Sequence, residues 1–280
     1  MSLIELAIAK VRKVAHGSAA RTGQAAQNSI LPRRIAAERR VVSADSSKSA
    51  RQYPLCATDV VRMEENRILP QISDRAALRA YKIMRTRLLQ RLAQNNWQTL
   101  AVTGTDAGQG KTLTAINLAI ALAQDPNTSV LLVDLDLQRP MIGTYMGMTF
   151  KHGLGEYLTG EAELDQIIYD PGIERLAVIP NSSSFEHSSE RLTGPRMLEL
   201  QSFIEAESPP RIVIYDMPPL LLSDDVLTFA PQVDGLLLVV SEGFTSRSSL
   251  KKSKEILAEM NVIGVVLNRS TERAAAAYYY

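Results

Sequence analysis

Residues 103–112 read TGTDAGQGKT, and they sit between a predicted strand, Gln98–Thr103, and a predicted helix, Lys111–Gln124. A glycine-rich turn from strand to helix is what a bound phosphate requires. Small residues let backbone N–H groups face the phosphate oxygens. A lysine reaches the β- and γ-phosphates, a hydroxyl meets Mg²⁺, and a helix N-terminus follows at once. Gly108, Gly110, Lys111 and Thr112 supply these parts. The stretch departs from GxxxxGK[ST] at its first position, where Thr105 stands with Gly104 just before it. Nucleotide contacts are expected from Thr105, Asp106, Ala107, Gly108, Gln109, Gly110, Lys111, Thr112 and the following residue, Leu113.

Outward from this turn, short apolar runs recur without polar alternation. They lie at Ser129–Asp134, Leu176–Pro180, Arg211–Asp216, Gly235–Val240 and Val262–Asn268, with helical stretches near 195–206 and 246–260. Upstream, Asp74–Ala93 carries Leu78, Tyr81, Met84 and Leu88 or Leu89 on one helical side. Strands without alternation are covered on both faces, so the expected fold is α/β, a doubly wound and mostly parallel sheet. No internal repeat is present.

Two of these strands end in acid. VLLVDLDLQRP (130–140) brings Asp134 and Asp136 off a buried strand, and RIVIYDMPP (211–219) does the same for Asp216. Ligands of open α/β sheets bind beyond the carboxyl ends of the strands. All three carboxylates should therefore converge where Mg²⁺–nucleotide would sit. Thr112, Asp136 and Asp216 are the expected metal ligands or their immediate neighbours. Lys111 is expected to offset charge on the bound phosphates, and roles among Asp134, Asp136 and Asp216 could be exchanged.

Composition adds limits. With 31 basic and 30 acidic residues the net charge is +1, which offers no general attraction for nucleic acid. The charge is unevenly placed: residues 1–52 carry 10 Lys/Arg against 3 Asp/Glu, and the remainder carries 21 against 27. A basic arm thus precedes a mildly acidic body. Its first part, residues 3–14, has the period of a short amphipathic helix suited to anionic lipid or a protein partner, and 17–52 reads as a flexible linker. The single cysteine, Cys56, excludes an internal disulfide and a Cys/His metal cluster. No stretch approaches the ~20 apolar residues of a membrane span, and charges at Glu5 and Lys10 interrupt any leader-like segment. A cytoplasmic protein is expected, with peripheral contact at the inner face of the plasma membrane through the arm.

The loose phosphate loop, then hhhDxDxxRP, hhhDxPP and a terminal tyrosine run, resembles the bacterial tyrosine kinases of exopolysaccharide synthesis. The similarity covers roughly residues 74–280, and the opening MSLIE looks like their stand-alone cytoplasmic type. The resemblance implies ATP-dependent phosphorylation of tyrosine on the protein's own tail, with ATP and Mg²⁺ as cofactors. It implies Asp134 and Asp136 in the second Walker-type motif, Asp216 in Walker B and Asn268 near the adenine, with Lys111 offsetting charge on the γ-phosphoryl group and Asp134 as the base that accepts the tyrosine proton. Partners it implies are the tail in a neighbouring subunit, a homo-oligomer, and an inner-membrane chain-length-determinant protein. Two positions depart from the pattern. Arg79, Lys82 and Arg85 stand where the family has Glu-x-x-Arg-x-x-Arg, and Gln138 stands where many relatives have arginine.

The tail, AAAAYYY, places three of the nine tyrosines at the last three positions. Chain ends fray and rarely bury aromatics, so Tyr278, Tyr279 and Tyr280 are the expected phosphoacceptors. The resulting organisation is a basic arm (1–52), a phosphate-loop kinase domain (53–273) and a tyrosine tail (274–280). Competing expectations are a MinD-like positioning ATPase, whose loop would carry a lysine where Asp106 stands, and a nucleotide-dependent scaffold.

Overall fold

A computed structural model describes residues 53–186, 188–207 and 211–270. The expected arm and tail lie outside the described residues. Six strands form one sheet: β1 (Thr99–Gly104), β2 (Val130–Asp134), β3 (Leu176–Ile179), β4 (Ile212–Asp216), β5 (Gly235–Ser241) and β6 (Val262–Asn268). Every pairing is parallel, and the strands lie side by side in the order β3-β2-β4-β1-β5-β6. The doubly wound sheet expected from the sequence is therefore present.

The absence of polar alternation has a direct cause. Alternate residues of each strand face opposite sides of the sheet, and both sides are covered. Leu131, Val133, Val213, Tyr215 and Leu238 belong to one core cluster, with Tyr157, Met197, Leu200 and Phe229. Leu100, Val102, Leu132, Ile214 and Val239 belong to the other, with Met84, Leu88, Ile116, Ile120 and Met146. Helices α1 (Val60–Glu65), α2 (Arg75–Asn95), α3 (Lys111–Ala123) and α4 (Ile142–Met146) contribute to the second cluster. The first takes α5 (Leu154–Thr159), α6 (Ser188–Leu192), α7 (Pro195–Glu205) and α8 (Asp225–Phe229); α9 (Arg247–Ile256) precedes β6.

Helix α3 is buried at every residue but Leu113, which is why it reads as apolar nearly all round. Asn117, an exception in that run, accepts from Leu69 N at 2.7 Å and donates to Arg67 O at 3.1 Å. It thereby ties the segment before α2 to the helix after the phosphate loop. Helix α2 starts one residue later than expected because Asp74 is its N-cap, accepting from Ala76 N. Its buried stripe is Met84, Leu88 and Leu92, whereas Leu78 and Tyr81 are only partly covered. Arg79 and Lys82 are exposed on this helix, and Arg85 reaches Ala121 O at 3.4 Å.

At the β3 edge, Tyr169 bridges Val178 and Leu55 in turn bridges Asp170, so the edge is covered by the segment at 169–170, with the chain's entry segment laid outside it. The two short helices α4 and α5, between β2 and β3, have no counterpart among the sequence expectations. Five or six residues are too few to show a helical period. Among the described residues no helix is long and apolar enough to cross a membrane.

Candidate active site

The strand order places the loop after β1 in the middle of the sheet, between the carboxyl ends of β4 and β5. Within that loop Gly108 and Gly110 take left-handed backbone, with φ +74° and +84°, which costs a residue with a Cβ about 1–2 kcal/mol. At Gly110 a Cβ would in addition run into Asn268 Nδ2, whereas at Gly108 it would meet nothing within 4 Å. Gly110→Ala should therefore lower the melting temperature more than Gly108→Ala. A companion Asn268→Ala should recover part of the difference in thermal melts; equal losses in the two glycine variants would remove the collision as the cause.

Several side chains hold the loop from behind. Gln109 is buried: its Oε1 accepts from Thr105 N at 2.8 Å, and its Nε2 donates to Thr105 Oγ1 at 2.5 Å and Thr245 Oγ1 at 2.9 Å. Asp106 accepts from Thr105 Oγ1 at 2.9 Å. Asn268 Nδ2 donates to Gln109 O at 2.9 Å, and Arg269 donates to Gly108 O at 2.8 Å while its guanidinium lies over the Phe244 ring. Asn268, expected beside adenine, here braces the loop. Thr245 and Arg269 were not among the sequence candidates, because neither falls in a motif; only their closeness to β5 and β6 ends could have marked them. Ala107 and Gly108 are exposed at the loop's crest, and Leu113 turns from the loop to pack on the second core cluster.

The charged centre is compact. Lys111 Nζ donates to Asp136 Oδ2 at 2.6 Å, lies 4.0 Å from Asp216 Oδ1, and reaches Thr112 Oγ1 at 3.3 Å. Asp136 is further fixed by Arg139 N, which donates to Oδ1 at 3.0 Å. Asp134 Oδ2 accepts from Met141 N and Ile142 N at 3.0 and 2.9 Å, holding the start of α4. Register places Asp134 directly beside Asp216 on neighbouring strands. Both are 0% exposed.

Their surroundings displace their titration. Burial, then the neighbouring Asp216, raises Asp134 well above the usual carboxylate range. Burial likewise raises Asp216 to about 6, against the pull of Lys111. Lys111 is itself disfavoured as a cation by burial, but Asp216 and Asp136 outweigh this and raise it above the ordinary lysine value.

One cation thus faces three acids, and three buried carboxylate oxygens, Asp134 Oδ1 and both oxygens of Asp216, accept no hydrogen bond. Orphaned acceptors at this depth are costly unless something positive completes them. A hard divalent cation suits these oxygens, since Mg²⁺ takes oxygen ligands and is held by one or two carboxylates together with substrate phosphates. Among the described residues no group of three or more acid, His or Cys side chains forms a closed metal cage. The donor set, Thr112 with Asp136 and Asp216, suits a cation that arrives with its nucleotide. The structure therefore brings together Lys111, Thr112, Asp134, Asp136 and Asp216; Tyr278, Tyr279 and Tyr280 lie outside the described residues.

Comparison with known proteins agrees with this geometry. Residues 100–279 match the family model described as the CobQ/CobB/MinD/ParA nucleotide binding domain. The chain is 31% identical over 207 residues to the tyrosine-protein kinase Etk of Escherichia coli K12, an alignment covering 73% of this chain. It spans only 28% of the length of Etk. It is 32% identical over 183 residues to the tyrosine-protein kinase CpsD of Streptococcus agalactiae, covering 63% of this chain and 76% of that protein. Among solved structures, the kinase domain of E. coli ETK superposes with a TM-score of 0.66 at 28% identity, covering 84% of this chain and 89% of that one.

Proposed function

Since the chain belongs to the CobQ/CobB/MinD/ParA nucleotide-binding family and to the bacterial tyrosine-protein kinases, we propose that it transfers the γ-phosphoryl group of ATP to tyrosine, its own C-terminal cluster included. The observation that carries the reading is the packing of Lys111 against Asp136 and Asp216 beside the Thr112 hydroxyl, at the mouth of a loop built from Gly108 and Gly110.

The division of labour follows from charge. The loop amides and the N-terminus of α3 bind phosphate oxygens. Lys111 stabilises negative charge that builds on the transferring group, in a site too dry for water to screen it. Mg²⁺, when bound, neutralises the β- and γ-oxygens; Thr112, Asp136 and Asp216 are the residues that would hold it. The tyrosine Oη attacks the γ-phosphorus, the bond from phosphorus to the β-bridging oxygen breaks, and ADP leaves with that electron pair. Asp134 Oδ1, which accepts no other hydrogen bond, is the acceptor for the phenolic proton, and its raised pKa makes it a better base than an ordinary carboxylate. Asn268 supports the nucleotide site by holding the phosphate loop through Gln109 O.

The phosphoacceptors are Tyr278, Tyr279 and Tyr280 of a neighbouring copy. The wider role is control of exopolysaccharide chain synthesis or export from the cytoplasmic side of the membrane. A membrane protein of the chain-length-determinant type is the partner, and the basic arm supplies weak, salt-sensitive attachment to an acidic surface.

The test mixes a Lys111→Met protein carrying an intact tail with an active protein whose three tail tyrosines are Phe. Intact-mass analysis after ATP–Mg²⁺ should show added phosphate on the inactive partner's tail. Release of ADP with no added mass would favour a positioning ATPase instead.

A further inference from the structure

We propose that Leu222 forms the apolar wall against which the acceptor tyrosine lies, so that this rim of the site selects the uncharged AAAAYYY segment of a second copy. The proposal rests on the kinase reading above and adds to it the surface that recognises the acceptor.

The direction of approach follows from the strand order. Lys111 Nζ, which marks the reactive end of the site, lies on Asp136 and near Asp216, at the ends of β2 and β4. On the opposite flank, the ends of β5 and β6 are closed onto the loop by Thr245, Asn268 and Arg269. An acceptor that reaches the γ-phosphate therefore crosses the β2–β4 rim.

The loop after β4 forms that rim and is pinned along its length. Met217 N donates to Val102 O, Leu220 N to Gly104 O and Leu221 N to Thr105 O, at 2.9, 2.8 and 3.1 Å. Just beyond, Ser223 Oγ accepts from Gln138 Nε2 at 3.2 Å, joining this loop to the one after β2. Leu222 is held between these two attachments, one to Thr105 of the phosphate loop and one to Gln138 of the loop after β2. Leu220 is 3% exposed but Leu222 is 62% exposed. An ordered leucine left open beside a reactive centre offers apolar surface to whatever enters it.

The tail matches that surface. Residues 274–280 carry only alanine and tyrosine, with no charged side chain. Residues 271–280 follow the last described residue, Ser270, and ten residues span at most ~33–36 Å when extended. That reach lets the segment extend well beyond Ser270 toward a second copy. An aromatic ring can bury its face against Leu222, whereas a charged side chain would lose hydration there.

The experiment uses the full chain with Tyr278, Tyr279 and Tyr280 changed to Phe, so that it phosphorylates only an added peptide of sequence TERAAAAYYY. Leu222→Ser should raise KM for the peptide about tenfold, and Leu222→Met should restore it, because Met supplies similar apolar surface. Binding of ADP–Mg²⁺, measured separately by titration calorimetry, reports on the loop that Leu222 neighbours. An unchanged peptide KM in Leu222→Ser overturns the proposal. So does a loss of ADP affinity equal to the rise in KM, which would make Leu222 a support of the loop. If the parent protein hydrolyses ATP but never labels the peptide, the kinase reading itself falls, and the acceptor surface with it.

Discussion

Lys111→Met is expected to reduce phosphate transfer to tyrosine by at least ~10²–10³-fold, the loss typical when a group stabilising transition-state charge is removed from a dry site. Methionine keeps the length of the side chain and removes its charge, so the loop backbone has no steric reason to move. The stability of the variant should carry a signature of its own. Lys111 is the cation facing Asp134, Asp136 and Asp216, and removing one partner of a buried ion pair costs about 3–5 kcal/mol. The folded-state pKa of Lys111 lies above its ordinary value, so its contribution is fully present below the ordinary lysine range and is what the variant forfeits there. Asp134 and Asp216, already raised, should rise further without it. A raised carboxylate loses stability as pH climbs from its unfolded pKa through its folded one. The deficit of Lys111→Met should therefore be present at about pH 5 and grow toward about pH 8, as carboxylates raised further in the variant are forced to ionise. Urea denaturation at the two pH values checks this. A deficit independent of pH would mean that the carboxylates do not depend on Lys111.

Asp216→Asn should have the opposite effect on stability while also abolishing transfer. Asp216 is fully buried, both of its oxygens lack hydrogen bonds, and burial lifts its pKa from 3.8 to about 6. The unfolded chain ionises this group more readily than the folded one, so folding stability falls across roughly pH 4 to 6 and stays reduced above that window. A shift of this size corresponds to roughly 3 kcal/mol. Asparagine removes the ionisation and keeps the shape. Without nucleotide, the variant should melt about 5–10 °C above the parent at neutral pH and near the parent at about pH 4. Saturating ATP–Mg²⁺ should reverse the order, because only the parent gains the linkage stabilisation of a ligand that binds the folded state. Scanning calorimetry with and without ATP–Mg²⁺ tests both halves. A variant that melts below the parent without nucleotide would show that the Lys111 attraction exceeds the burial cost at this position.

These two variants separate what an active centre needs from what a stable core needs. The same unsatisfied oxygens that weaken the fold at this point are those available to a cation and a phosphoryl group. Gln109, Asn268 and Arg269 spend their polar groups on the loop, and so place the strain-tolerant glycines between rigid supports.

Much of this molecule was legible in one dimension. Consecutive apolar runs such as VLLVD and GLLLVVS, with no polar alternation, announced strands covered on both faces, since side-chain direction alternates along a strand and burial on both sides removes every reason for polarity. The phosphate loop was legible because its parts are adjacent in the chain: Gly108, Gly110, Lys111 and Thr112 act on one ligand from a single turn. Asp134, Asp136 and Asp216 could be placed near it from the rule that sites lie at strand carboxyl ends. What the chain order could not contain was which strands would be neighbours. That β4 inserts between β2 and β1 sets Asp216 beside Asp134 and puts Lys111 within reach of both β2 and β4. Long-range pairing likewise gave Asn268 and Arg269 their hold on the loop and made Asp134 a support for α4 as well as a candidate base. Local patterns report what each segment buries, because burial acts residue by residue; the strand order, and with it the distances between charges, depends on how whole segments pack together, and only the tertiary structure decided that.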